Sequence, residues 1–330
     1  MKLKSAKSIK NTNTNNSELF DIKSLNLSFS TMTSFEDCPR KLEFAKFYNI
    51  NIEKRSLAPE GGNCLHSALG VYLKTKDTVK AIEYLVLNYP IDLCQMPTWS
   101  WSLEACYSAL ISLIGYFKVN THLQLALING AYAEEVPFII KLNHNIPNFM
   151  PIAYRGFIDF VLYNEHTESF EVYELKNSKN KNNYIQESYK FSAQGLPYSL
   201  ILQALLDMDF SNISVTYLLS KVHILEPEVQ AVEFNKTIQD TQEWARDIYM
   251  KILMIKNYHD AQWFPRKSGG CTSYGTGCKF FDICGGRDKA KIKLLLKAFH
   301  AENSKINEDF FTKKAETAEF NPIELTLDLK

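Results

Sequence analysis

Apolar residues recur along this chain in two rhythms, and the switch between them marks the elements. Leu65, Leu69 and Tyr72 follow Gly61-Gly62-Asn63 at helical spacing, which predicts a helix over 62–74. Similar stripes predict helices over 30–48, 78–87, 103–127 with a break near Asn120, and 237–258. Between them the period shortens to two: Val136, Phe138, Ile140 and Leu142 alternate and predict a strand over 135–142. Runs rich in β-branched and aromatic residues predict further strands over 154–163, 169–176, 213–219 and 229–234, the first two joined by a turn at Asn164-Glu165-His166-Thr167. A helix is expected through Gln194, but Gly195 and Pro197 interrupt it and predict a kink or fresh start near Leu196.

Helices flanking a mixed central sheet give the α/β class. Candidate residues are scattered from Cys38 to Cys284, which favours one interleaved domain over 26–300, with a helical insert at about 75–130 acting as a cap. Residues 1–25 are Asn- and Thr-rich and predict a disordered tail. Residues 301–330 read as a polar tail until Ile323, Leu325, Leu327 and Leu329 alternate, a pattern of an edge strand in preference to a peptide that docks on a replication partner. There is no internal repeat.

The chemistry concentrates on one pair of strands. Glu174 and Lys176 are two apart and share a face, and a paired neighbour can bring Asp159 of Gly156-Phe157-Ile158-Asp159-Phe160-Val161 beside them. Two carboxylates form a hard-cation site, and an adjacent ammonium can hold or help deprotonate a water, as metal-assisted phosphodiester hydrolysis requires. Taken alone, the Glu-Leu-Lys tripeptide reads as a solvated ladder on an exposed strand face; the residues around it change that reading. His66, beside an apolar stripe near a helix start, is either a further metal ligand or a core histidine bonded to backbone. Lys190, Gln194 and Tyr198 are four apart and share one helical face if a helix runs through them, where they could hydrogen-bond the lysine or a phosphate.

Cysteines form the second constellation. Cys271, Cys278 and Cys284, with six and five residues between them, lie in a Gly-rich stretch after Trp263-Phe264-Pro265, and Cys38 stands far upstream before Pro39-Arg40. Four thiolates suit zinc or an iron–sulfur cluster. The wide loops fit tight zinc pairs poorly and lean toward iron–sulfur, with zinc the alternative. Cys64, Cys94 and Cys106 sit in apolar helical patterns and read as ordinary small buried residues.

Charge narrows the function classes. Lys plus Arg equals Asp plus Glu at 37 each, so no overall basic field draws in nucleic acid, and the balance argues against broad, tight nonspecific coating. DNA binding must come from local patches: Lys176, Lys179, Lys181 and Lys190 near the proposed metal, or Arg287 to Lys297 after the cysteines. No apolar run approaches the ~20 residues that span a bilayer, and Met1-Lys2-Leu3-Lys4 opens no secretory signal. A soluble, cytoplasmic protein without a disulfide framework is expected. No phosphate loop of the Gly-x4-Gly-Lys-Ser/Thr type occurs, so helicase activity would have to come from a partner.

Together these pieces resemble the PD-(D/E)XK nuclease superfamily, in its RecB-like branch with a C-terminal iron–sulfur cluster, which includes the AddB nuclease domain, the CRISPR-adaptation exonucleases and phage relatives. Ser28-Phe29-Ser30 with Phe35 and Cys38-Pro39-Arg40 looks like the opening motif, Gly62 to His66 like the histidine helix, and Asp159 with Glu174-Leu175-Lys176 like the metal-binding core. Gln194 and Tyr198 match the helix motif, and Phe264-Pro265 with the last cysteines match the closing cluster. The resemblance implies a restriction-endonuclease-like core in which His66, Asp159, Glu174 and the Leu175 carbonyl bind Mg²⁺ or Mn²⁺ and Lys176 positions the attacking water. It implies a 4Fe-4S cluster on Cys38, Cys271, Cys278 and Cys284, and it offers Glu135 or Glu134 as a further acidic residue. The expected activity is exonucleolytic cleavage of single-stranded or frayed DNA ends, with a helicase or recombination partner. A noncatalytic DNA-binding accessory protein that keeps the fold is the alternative.

Overall fold

The computed structural model describes residues 23–50, 55–94, 99–179, 188–208, 212–272, 277–284 and 310–329. In chain order, β1 (Leu25–Leu27), α1 (Phe29–Asp37) and α2 (Pro39–Leu42) lead through a π turn at Glu43–Phe47 to α3 (Leu57–Thr75), α4 (Thr78–Asn88) and α5 (Leu103–Val119). Short strands β2 (Leu123–Leu125), β3 (Leu127–Ile128) and β4 (Ala131–Tyr132) precede the long β5 (Glu134–His144), β6 (Ile152–Asn164) and β7 (Ser169–Ser178). Then come α6 (Tyr198–Leu206), β8 (Asn212–Lys221), β9 (Glu228–Thr237), α7 (Ile238–Asp260), α8 (Phe281–Cys284), α9 (Phe310–Thr317) and β10 (Ile323–Leu329).

The strands build one eight-stranded mixed sheet ordered β10-β5-β6-β7-β8-β9, with β1 and β2 paired to opposite ends of β6. β5, β6 and β7 are antiparallel neighbours, while β7–β8 and β5–β10 are parallel. One face packs Val136, Ile158 and Val172 against Ile201, Leu202, Trp244 and Ile248 of α6 and α7. The other packs Phe160, Leu162, Tyr173 and Leu175 against Leu65, Leu69 and Leu113 of α3 and α5. The sheet is therefore sandwiched between helical layers, as expected for the α/β class, because its central strands are apolar on both sides.

Three expectations are revised, and a fourth, the edge strand over 323–329, is formed. The helix over 30–48 breaks at Cys38, whose backbone is extended (φ −163°, ψ 108°), because the following Pro39 disfavours the helical region and then serves as the first residue of α2. The helix over 103–127 ends at Val119, and Leu123 and Leu125 enter the sheet instead; both are buried, with Gln124 between them turned outward. Leu25, assigned to the tail of residues 1–25, pairs with Ile152. The alternating 323–329 segment is a strand, parallel to β5 from Ile323–Phe138 to Leu329–His144, and α9 before it also belongs to the fold. No described helix is long and apolar enough to cross a membrane.

Candidate active site

The site lies where the strand alternation of two neighbours fails at the same level. On β6, Ile158 faces the α6–α7 core and Phe160, two residues on, faces the α3–α5 core. On β5, Glu135 adopts a left-handed backbone (φ 50°), so Glu134 and Glu135 both turn toward α3 while Val136 returns to the opposite core. A side chain pays for that conformation, and such strained residues gather at functional sites. Gly70 of α3 gives the Glu134 carboxylate its space; a Cβ there would stand 1.6 Å from Glu134 Oε1. Glu134 is thereby committed to Lys74, 2.8 Å away, and only Glu135 reaches the imidazole.

His66, Glu135 and Asp159 each offer a ligand atom within 4.8 Å of the other two. His66 Nδ1 lies 3.0 Å from Glu135 Oε1, and Nε2 lies 3.4 Å from Asp159 Oδ2, which also accepts the Leu175 amide at 2.9 Å. The ring stacks on Phe160 with centroids 4.6 Å apart, which holds its plane. Nε2 is buried and has no hydrogen-bond partner among the described residues. A buried ring nitrogen that makes no hydrogen bond beside a carboxylate is costly unless something lies between them, and a divalent ion suits the pair of His66 Nε2 and Asp159, with Glu135 on the other ring nitrogen. Burial opposes charge on His66, but Asp159 and Glu135 raise its pKa to about 10. Burial likewise opposes ionisation of Asp159, yet His66, Lys176 and the Leu175 amide hold it below the usual carboxylate range.

Glu174, fully buried on β7, stands beside this triad with its oxygens already engaged. Tyr198 donates to Oε1; Gln194 Nε2 and Lys176 Nζ donate to Oε2 at 2.9 and 3.2 Å. Lys176 also donates to Gln194 Oε1 at 2.8 Å, closing a triangle of carboxylate, ammonium and amide. Burial raises the Glu174 pKa, with Asp159 pushing the same way. Burial would strip the proton from Lys176, but Glu174 and Asp159 more than compensate and keep it an ammonium. The group is consequently a donor and a positive charge rather than a base.

The shared helical face expected for Lys190, Gln194 and Tyr198 is not formed. Residues 194–197 make a turn, and α6 starts at Tyr198 after Pro197, so Gln194 and Tyr198 reach Glu174 from a turn and a helix start respectively. Lys190 is exposed, its ammonium over Phe191 and its carbonyl accepting from Lys236 Nζ at 2.6 Å. Lys179 is exposed just past β7; Lys181 and the Arg287 to Lys297 patch lie outside the described residues. One residue at the site carries no sequence signal: Lys314 of α9, from the polar C-terminal stretch, whose ammonium contacts Glu135 Oε2.

The cysteines gather at a second place. None of the seven is in a disulfide. Arg40 donates to the Phe264 carbonyl at 2.9 Å, joining the Cys38 corner to the segment that precedes Cys271. The Lys267 amide points at Cys38 Sγ at 3.5 Å, Cys278 N donates to the Cys271 carbonyl at 2.8 Å, and Cys278 and Cys284 pack on Phe44, Ile50 and Phe280. Burial pushes the Cys284 thiol up, and nearby Cys38 adds to it. Gly270 allows the closest approach, since a Cβ there would stand 2.9 Å from both the Asp37 carbonyl oxygen and Cys38 Cβ. Gly270→Ala should therefore push this loop off the Cys38 corner and cost about 1–3 kcal/mol by overpacking, read as a lower urea midpoint; an unchanged midpoint would show that the contact is slack. Of the cysteines read as merely buried, Cys64 and Cys106 are in the α3–α5 core, and Cys94 is half-buried beyond α4.

A family model described as PD-(D/E)XK nuclease superfamily matches residues 26–285. No curated protein matches the chain. Among solved structures it is similar to a protein of Eubacterium rectale assigned by name as an exonuclease, with 13% identity, 85% of this chain and 100% of that one covered, and a TM-score of 0.41. It is also similar to SSO0001, with 14% identity, 78% and 95% covered, and a TM-score of 0.28.

Proposed function

Because the chain belongs to the PD-(D/E)XK nuclease superfamily, we propose that it is a Mg²⁺- or Mn²⁺-dependent deoxyribonuclease trimming single-stranded or frayed DNA ends in recombination, repair or replication. The observation that carries this reading is the buried, unpartnered His66 Nε2 facing Asp159, with the Glu174–Lys176–Gln194 triangle alongside. His66 and Asp159 would hold the ion together with Glu174 and the Leu175 carbonyl; Glu174 Oε2 already accepts from Gln194 and Lys176, so Oε1, which accepts from Tyr198, would be the oxygen to reach it. Bound there, the ion supplies Lewis-acid polarisation of a phosphate and lowers the pKa of a water.

The remaining steps belong to the protein's own side chains. Lys176, kept protonated and fixed between Glu174 and Gln194, orients the attacking water and offsets charge that builds on the phosphoryl oxygens. Tyr198 and Gln194 hold the Glu174 carboxylate, so the lysine has a fixed base to stand on. Exposed Lys179 is available to a DNA phosphate at the end of β7. Incubation of purified protein with end-labelled single- and double-stranded DNA and either metal should release nucleotides; DNA left whole in both metals would remove the proposal.

Metal binding should also depend on pH in a defined direction. The metal-free site favours a protonated His66, and the ion needs the neutral ring, so binding releases a proton. Affinity should rise by up to about tenfold per pH unit below the pKa of the metal-free site, and calorimetry in buffers of different ionisation heat should show release of about one proton. An affinity flat between pH 6 and 8 would argue against a His66 ligand.

We assign an iron–sulfur cluster to Cys38, Cys271, Cys278 and Cys284. Their convergence supports it: Arg40 ties the Cys38 corner to Phe264, Gly270 packs on Cys38, and Cys278 N donates to the Cys271 carbonyl.

A further inference from the structure

Residues 310–329 lie beyond the stretch that the family model matches, yet they are built into the site. β10 pairs with β5 over seven residues, and Lys141–Glu324 and Asn143–Asp328 side chains, 2.5 and 2.7 Å apart, brace the pair. Phe311 packs on Phe157 with centroids 5.0 Å apart. Glu319 takes Lys74 of the His66 helix at 2.5 Å and the Tyr132 amide at 3.0 Å. The segment is thus fastened both to the strand that carries Glu135 and to the helix that carries His66.

Its contact with the site is made by Lys314. The two oxygens of Glu135 are divided: Oε1 faces His66 Nδ1 at 3.0 Å, and Oε2 meets the Lys314 ammonium, which also sits 4.7 Å from the Phe157 ring centre. Nε2, the other ring nitrogen, faces Asp159. A metal-binding histidine ordinarily gives its second N–H to a carboxylate, and that bond fixes tautomer and ring orientation. The ammonium contacts the oxygen that does not face Nδ1, so it braces the carboxylate from its other oxygen.

Resting on the metal-dependent reading above, we propose that Lys314, Glu135 and His66 form a positioning relay, through which the C-terminal segment sets the imidazole with its Nδ1 proton on Glu135 and Nε2 free for the ion. Glu135 and Lys314 are positioning residues. They would touch neither the ion nor DNA.

The test is Mn²⁺ affinity, by paramagnetic resonance or calorimetry, and the ¹⁵N histidine spectrum of Mg²⁺-loaded full-length protein. Glu135→Ala should weaken Mn²⁺ binding by roughly 10–100-fold, and Lys314→Met by roughly tenfold. Lys314→Arg, which keeps the charge, should restore most of it. The wild-type spectrum should show His66 with its proton on Nδ1, and Glu135→Ala should lose that signature. Lys314 is about one-third exposed (side-chain value 34%), so its variants should fold, and an unchanged melting midpoint checks this. Lys314→Met that binds Mn²⁺ as wild type does, or more tightly because the ammonium competes with the ion, would overturn the relay and leave the nuclease reading standing. Wild-type Mn²⁺ binding that persists in His66→Ala would overturn both.

Discussion

Lys176→Ala should lower the rate of DNA cleavage by roughly 10²–10⁴-fold, the range lost when a positioned proton-handling or charge-stabilising group is removed from an active site. The expectation follows from the lysine's place between Glu174 and Gln194, where burial would discharge it if the two carboxylates did not hold the proton. Alanine leaves no donor of comparable reach at that point. Glu174→Ala should be as severe, since it removes a proposed ligand and the partner of Lys176, Gln194 and Tyr198 together. Effects within one such group do not add, so the double variant should fall no further than the worse single one. Both are to be measured by initial rates on end-labelled DNA, with circular dichroism showing that the fold persists. Either variant keeping a tenth of wild-type activity would exclude its residue from the chemistry.

Cys38→Ser should have the largest effect on stability. Protein purified without oxygen is expected to be brown, to absorb in the visible range and to contain iron and sulfide, and the variant should lose all three. A cross-link between Cys38 and Cys271 closes a loop of about 230 residues, which on chain-entropy grounds restricts the unfolded state by about 5 kcal/mol. The variant should accordingly melt well below wild type, and a chelator that strips the cluster should reproduce the shift. The Arg40–Phe264 bond and the packing on Phe280 remain without it, so the deficit falls on the loop rather than on the whole sheet. Stoichiometric zinc with no iron would show the cluster assignment to be mistaken.

Much of the fold was legible because its signals are local. The alternation of 135–142 and the helical stripe of 62–74 each fix which face is buried, and Pro197 marks a helix start through its own ring geometry, whereas the stripe of 30–48 masks the same signal at Pro39. What escaped are features that depend on distant partners. The choice between Glu134 and Glu135 turns on a left-handed backbone and on the room left by Gly70, neither of which is written in the residues around 134. Gln194 and Tyr198 share a target without sharing a helix, since spacing gives faces only where a helix is continuous. Lys314 could not be read at all: a lysine in a polar stretch looks solvated until β10 is seen to anchor its segment.

Both flanks of the described chain join the sheet, β1 on the inner strand β6 and β10 as the edge strand beside β5. Pairings between segments so far apart in sequence carry a high contact order, and their entropy must be spent before they stabilise anything. The β5–β6–β7 meander can form early from local turns, whereas β1 and β10 must be brought in from distant parts of the sequence. Refolding should thus be slow and all-or-none around that meander.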